Sequence, residues 1–118
     1  MHSFETIDLG TYRGDVYFLK GFVEPEPSPG EHYDPGRDAD GYGVVLVKKG
    51  ADPLGENEQI VRMDTSHGQP HLDKVYLPTD ADEDRKVWLE DGYSYTRMKR
   101  YVEANWRGFA DLYIKYHE

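Results

Sequence analysis

Residues 62–76, RMDTSHGQPHLDKVY, read as a β-hairpin. Apolar–polar alternation runs in, a Ser-His-Gly-Gln-Pro turn reverses the chain, and alternation runs out again. Gly68 admits a positive φ and Pro70 fixes the exit from the turn. The first arm, residues 58–64, sets Val61 and Met63 on one face. The second, residues 71–77, sets Val75 and Leu77 on a face shared with His71 and Asp73. Each arm has an apolar root and a polar tip, so the tip is expected to project beyond the core. A hairpin in mid-chain makes the fold a sheet, and the flanking segments must supply its neighbours and its cover.

Working outward, residues 42–48 (YGVVLVK) form a strand whose β-branched valines suit a buried pleat. Residues 15–23 alternate Val16, Phe18 and Phe22 with Tyr17, Leu19 and Val23, which predicts a strand covered on both faces. Residues 6–12 predict a short strand before the Arg13-Gly14 turn, and residues 86–89 a short closing strand. Between them, residues 24–41 hold four prolines and read as a loop. Glu24, Glu26, Glu31, Asp34, Asp38 and Asp40 against Arg37 leave it at a net −5, and its length predicts mobility rather than function. The stretch KKGADPLGEN reads as a turn and TDADEDRK as a solvated acidic connector.

From Tyr95 the period changes. Tyr95, Met98, Val102, Trp106, Phe109, Tyr113 and Tyr116 recur every three or four residues. At about 100° per residue they span a sector of about 80°, the mark of an amphipathic helix. The helix is expected over residues 94–116 with Ser94 as N-cap, its aromatic stripe lying across the sheet. Arg97, Arg100, Arg107 and Lys115 fall on the opposite side, either as a solvated face or as a docking surface for RNA phosphates or an acidic partner. Tyr101, Leu112 and Ile114 flank the stripe and would widen it into a protein interface. The whole predicts one α+β domain, residues 1–118: a five- or six-stranded, mostly antiparallel sheet with one long C-terminal helix packed on one face.

Composition limits the function classes. The absence of cysteine removes disulfides, thiol catalysis and cysteine–zinc sites, and is compatible with the cytoplasm, the expected location. No apolar run approaches the roughly 18–20 residues that span a bilayer, and the N-terminus lacks the basic cap and apolar core of a signal. A soluble protein without a membrane partner is expected. A net charge of −9 argues against broad neutralisation of nucleic-acid phosphates, although not against an enzyme that meets RNA at one local basic site.

Chemistry concentrates in the hairpin, where Asp64, His67 and His71 stand within eight residues. Imidazole titrates near neutrality, so one ring can take a proton while another gives one. Cleavage of RNA by its ribose 2′-OH needs that pair and a cation at the phosphate, for which Arg62, Lys74 or a helix arginine is available. Asp64 would orient a histidine, and no cofactor is required. Alternatively His67, His71 and Asp64 or Asp73 bind a divalent metal, two imidazoles and a carboxylate being suitable ligands. The histidines also have a structural use, bonding backbone in the turn. His2, His32 and His117 lie in segments expected to be mobile.

The run V-R-M-D-T-S-H-G-Q-P-H, followed by a helix containing E-A-N-W-R, resembles a group of small uncharacterised prokaryotic proteins. More distantly it is similar to the TumE-like toxins of toxin–antitoxin pairs, which show Arg-x-Asp-x-x-His-Gly and further histidines on the next strand. Arg62, Asp64, His67, Gly68 and His71 fill the matching positions, and Asp73 stands where a second strand histidine often occurs. The resemblance implies a growth-inhibiting toxin that acts on RNA as an endoribonuclease and is silenced by an antitoxin. Its metal-independent form uses His67 and His71 for proton transfer, Asp64 to orient and Arg62 to steady the phosphate. A protein-interaction module built on the helix, or a metal-binding hairpin, are the other two expectations.

Overall fold

The computed structural model describes residues 1–50, 56–65, 68–78 and 85–117. Six strands follow one another: β1 (His2–Tyr12), β2 (Asp15–Glu24), β3 (Gly41–Lys48), β4 (Glu58–Asp64), β5 (His71–Asp73) and β6 (Lys86–Trp88). They pair in chain order, each antiparallel to the next, into an open sheet. A four-residue helix, α1 (Pro35–Asp38), interrupts the β2–β3 connection, and α2 (Tyr95–His117) closes the chain. This is the α+β sheet-and-helix domain that the alternation and the aromatic stripe predict. Among the described residues no helix is long and apolar enough to cross a membrane.

Register assigns the two faces. Tyr17, Leu19 and Val23 of β2, Val44 and Leu46 of β3, Val61 and Met63 of β4 and Leu72 of β5 point to the α2 side and are buried. Met98, Val102, Trp106, Phe109 and Tyr113 of α2 meet them in one cluster. The Ser94 hydroxyl accepts the Arg97 N–H at 3.1 Å and so caps α2 where expected. At the β1–β2 turn Arg13 and Gly14 both take positive φ, 51° and 88°, as a tight hairpin requires. Asp111 of α2 fastens that turn, accepting from the Tyr12 hydroxyl at 3.0 Å and from Arg13 Nε at 2.7 Å.

Several expectations are corrected. β1 starts at His2, so His2 sits opposite Val23 in a paired strand, and His117 packs on the Tyr113 ring at 4.3 Å. β2 is buried on one face only, because no described element covers Val16, Phe18, Lys20 and Phe22. The second hairpin arm ends at Asp73 rather than residue 77. The chain turns over residues 74–77, where the Leu77 N–H donates to Lys74 O at 3.0 Å, which lets the Tyr76 N–H reach Ile60 O. Tyr116 falls outside the buried stripe at 44 % exposure, and Ala110 takes a place inside it. Residues 51–55 of the expected KKGADPLGEN turn and residues 79–84 of the acidic connector lie outside the described residues. The 24–41 loop has contacts of its own. Asp34 caps α1 by accepting the Gly36 N–H at 2.9 Å, and the Tyr33 ring lies 5.6 Å from Phe4.

One close approach fixes how α2 enters the sheet. The Tyr95 hydroxyl reaches over Gly21 of β2 to donate to Glu5 of β1, and a Cβ at Gly21 would overlap that hydroxyl. Gly21→Ala should therefore cost about 1–3 kcal/mol, as overpacking does. Urea unfolding reads it, and an unmoved midpoint would disprove this packing. Burial raises the phenols of Tyr17, Tyr42, Tyr76 and Tyr95 above their ordinary value of 10, with Glu5 adding to the effect at Tyr95. The unfolded chain then ionises first, so stability holds below that value and falls as pH rises past it. The urea midpoint should drop between about pH 9 and about pH 11, and less so in Tyr95→Phe.

Candidate functional site

On the sheet face away from α2, period two turns the middle of the chain into two rows of side chains. Cross-strand pairing aligns Val45, Arg62, Asp73 and Lys86 in one row and Gly43, Asp64, His71 and Trp88 in the next. Arg62, Asp73 and Lys86 alternate in charge, as directly opposed residues prefer. Five polar or ionisable side chains thereby meet on β4, β5 and β6.

His71 is the centre of the group and is 2 % exposed. Its Nδ1 lies 3.0 Å from the carbonyl of Gln69. A carbonyl only accepts, so Nδ1 carries the hydrogen. Nε2 then faces Asp64 Oδ1 at 3.2 Å and Asp73 Oδ2 at 3.3 Å. Arg62 closes the far side, with Nε 3.4 Å from Asp64 Oδ2 and its terminal nitrogen 3.4 Å from Asp73 Oδ2. Lys86 stands 3.9 Å from Asp73 Oδ1, and the Trp88 ring packs edge-on to the imidazole at 5.5 Å. Two carboxylates are matched by two permanent cations. Two acceptor oxygens converging on one ring nitrogen call for a positive centre there, either a proton or a metal ion.

Backbone choices make room for this. Gly43 lies directly opposite Asp64, and a Cβ on it would come within 2.6 Å of Asp64 Cβ and 2.8 Å of Met63 O. The space kept open belongs to a pocket of about 220 Å³ whose lining includes Phe22, Gly43, Val45, Gln59, Arg62 and Asp64. Phe22 and Val45 give it apolar lining, and Gln59, Arg62 and Asp64 give it polar lining. At the strand end, the Thr65 hydroxyl accepts the Tyr42 N–H at 3.0 Å while the Thr65 N–H donates to Tyr42 O. Gly68 takes the expected positive φ, 85°.

Of the residues the sequence singles out, Arg62, Asp64 and His71 come together, and Asp73 joins them. His67 lies outside the described residues. Asp64 and His71, expected at a projecting tip, are instead buried on the face of the sheet, where they pair inside the ladder, and residues 66–67 of the turn lie outside the described residues. Arg97, Arg100 and Arg107 ride on α2, across the sheet from this group. Arg97 pairs with Glu90 at 2.5 Å and covers the Tyr93 ring, Arg107 covers Trp106, and Arg100 lines a separate pocket with Phe4 and Glu5. Lys74 follows β5 half-buried, its N–H donating to Arg85 O. Lys86 and Trp88 are the members that reasoning from the hairpin alone missed. Their signal was the period-two K-V-W set against H-L-D.

A meander sheet with one covering helix, and an imidazole held between two carboxylates on the face away from that helix, defines the class of domain. A family model described as a domain of unknown function (DUF7718) matches residues 40–118, and the chain belongs to that family. The matched span runs from β3 to the end of α2 and contains every member of the His71 group. No curated protein and no solved structure matches the chain.

Gly43→Ala should displace Asp64, cost about 1–3 kcal/mol and shift the His71 ring signals in NMR spectra. Unchanged ring signals in a folded Gly43→Ala protein would show that Asp64 does not depend on this glycine.

Proposed function

We propose that the chain cleaves RNA at the Arg62–Asp64–His71–Asp73 group, as a TumE-like toxin whose activity a protein antitoxin restrains. The observation that carries this reading is the convergence of Arg62, Asp64 and His71, distinct motif positions of the hairpin, within ion-pairing distance on the sheet face away from α2. Cleavage of this class moves the 2′-OH proton to a base as the 2′-oxygen attacks phosphorus. A 2′,3′-cyclic phosphate forms, and the departing 5′-oxygen takes a proton from an acid. In this reading Arg62, whose side chain is 43 % exposed, steadies the phosphate through its guanidinium fork. Asp64 orients His71, and His67 is the second proton-transfer group. The resemblance to the toxins supplies the substrate, and the pocket beside Arg62 and Asp64 offers a place for a nucleotide.

Purified protein should cleave labelled cellular RNA. His71→Ala and Asp64→Asn, each checked for matched helicity, should lower the rate by about 10²–10⁴-fold. A combined Arg97→Ala/Arg100→Ala/Arg107→Ala protein should keep its rate, since those side chains lie across the sheet. Full cleavage by folded His71→Ala would end this reading, and loss of cleavage in the helix variant would move the RNA to the other face.

A further inference from the structure

We propose that Asp64, His71 and Asp73 form a divalent-cation site, with Asp64 Oδ1, His71 Nε2 and Asp73 Oδ2 as the ligand atoms. The three lie within 4.8 Å of one another. Ligands bonded at about 2.1 Å and separated by angles of about 90–110° stand about 3.0–3.4 Å apart. The spacings of 3.2 and 3.3 Å from His71 Nε2 to the two carboxylate oxygens fall in that interval.

The imidazole is prepared for the ion by its other nitrogen. Nδ1–H donates to Gln69 O, which directs the Nε2 lone pair at the carboxylates, the arrangement by which proteins orient a metal-bound histidine. The carboxylates are held from behind. Arg62 takes Asp64 by Oδ2, and Lys86 approaches Asp73 by Oδ1. Asp64 Oδ1 and Asp73 Oδ2 are the oxygens nearest His71 Nε2, and Asp73 Oδ2 is shared with the Arg62 terminal nitrogen at 3.4 Å. All three ligands come from paired positions of β4 and β5, so the ladder fixes their spacing.

The donor set selects the ion. One imidazole and two carboxylates suit Mn²⁺, Zn²⁺ or Fe²⁺ better than Ca²⁺, which prefers six to eight oxygens. Metal ligands must be deprotonated, so protons compete with the ion and binding weakens as pH falls. The ion would also leave the group, with Arg62 and Lys86, at a net charge of +2. That charge suits an anionic ligand such as a phosphodiester in the adjoining pocket. The site stands on its own geometry; only this assignment of the ligand rests on the RNA-cleavage reading, whose metal-free form the cation would replace.

The test is titration of the full chain, stripped by chelator, with Mn²⁺ and separately with Zn²⁺. Calorimetry should show one equivalent bound, with affinity at least tenfold lower in Asp73→Asn. Mn²⁺ added to the natural protein should broaden the NMR signals of His71 and Trp88 first, which locates the ion even if Asp73→Asn fails to fold. No binding of either ion below millimolar concentration, or broadening centred away from β4–β5, overturns the site. Tight binding at this place in a protein that cleaves no RNA supports the site while refuting the ribonuclease reading. RNA cleavage that survives chelation, from a chain that binds no ion, does the reverse.

Discussion

The aromatic stripe of α2 presses Met98, Val102, Trp106, Phe109 and Tyr113 onto β2, β3 and β4, and the rest of the molecule follows from where that stripe is used up. Each such side chain contributes about 1.5–3 kcal/mol when buried. No second long helix exists among the described residues, so among them one sheet face receives this cover and the other does not. Antiparallel sheets tolerate that asymmetry because alternation separates core-facing from solvent-facing residues. The price is a face that must close with its own side chains. On β2 and β3 it does so with Phe18, Phe22, Val45 and Val47. On β4, β5 and β6 it does so with ionisable groups.

That second choice is not explained by stability. Desolvating charged groups costs several kcal/mol each, and replacing a buried ion network with apolar residues is often neutral or stabilising. A valine or isoleucine at Asp64, His71 and Asp73 would suit a half-buried strand better by propensity alone. The chain instead places a 2 %-exposed imidazole between two carboxylates and braces those carboxylates with Arg62 and Lys86. Such an arrangement breaks the local rules of a sheet face in one place while the surrounding strands obey them. Local violations within an otherwise consistent fold are where function is expected.

The sequence made the elements legible wherever periodicity ran long enough. β4 has the expected bounds, and Ser94 caps α2 as its hydroxyl and position predict. Lengths failed where a neighbour decided them. β1 extends to His2 because Val23 and Phe22 are there to pair with, and β5 stops at Asp73 because Tyr76 turns back toward Ile60. The candidate site was legible as a set of residue types but not as an environment. Its members lie on one strand face by alternation, yet their burial depends on β6, three residues whose register no local pattern fixes. The helix arginines show the same limit. Helical spacing says which side chains share a stripe, whereas which sheet face the helix covers is a tertiary fact.

Net charge alone is a poor guide to what the uncovered face can accept. Residues 24–41 hold a net −5, and Asp80, Asp82, Glu83 and Asp84 against Arg85 hold −3, so these two stretches carry −8 of the net charge of −9. The rest of the chain is therefore nearly balanced. The first connection is tied to the helix side of the sheet, where Tyr33 packs on Phe4 and Phe4 packs edge-on to Tyr95 at 5.8 Å. At physiological salt, exposed charges fade over about 8 Å. On β4–β6, Arg62 and Lys86 match Asp64 and Asp73, and a single added cation makes the face attractive to phosphate. Acidity of the whole chain and a local appetite for anions are compatible because the repulsive charge is carried on connections while the site is built on strands.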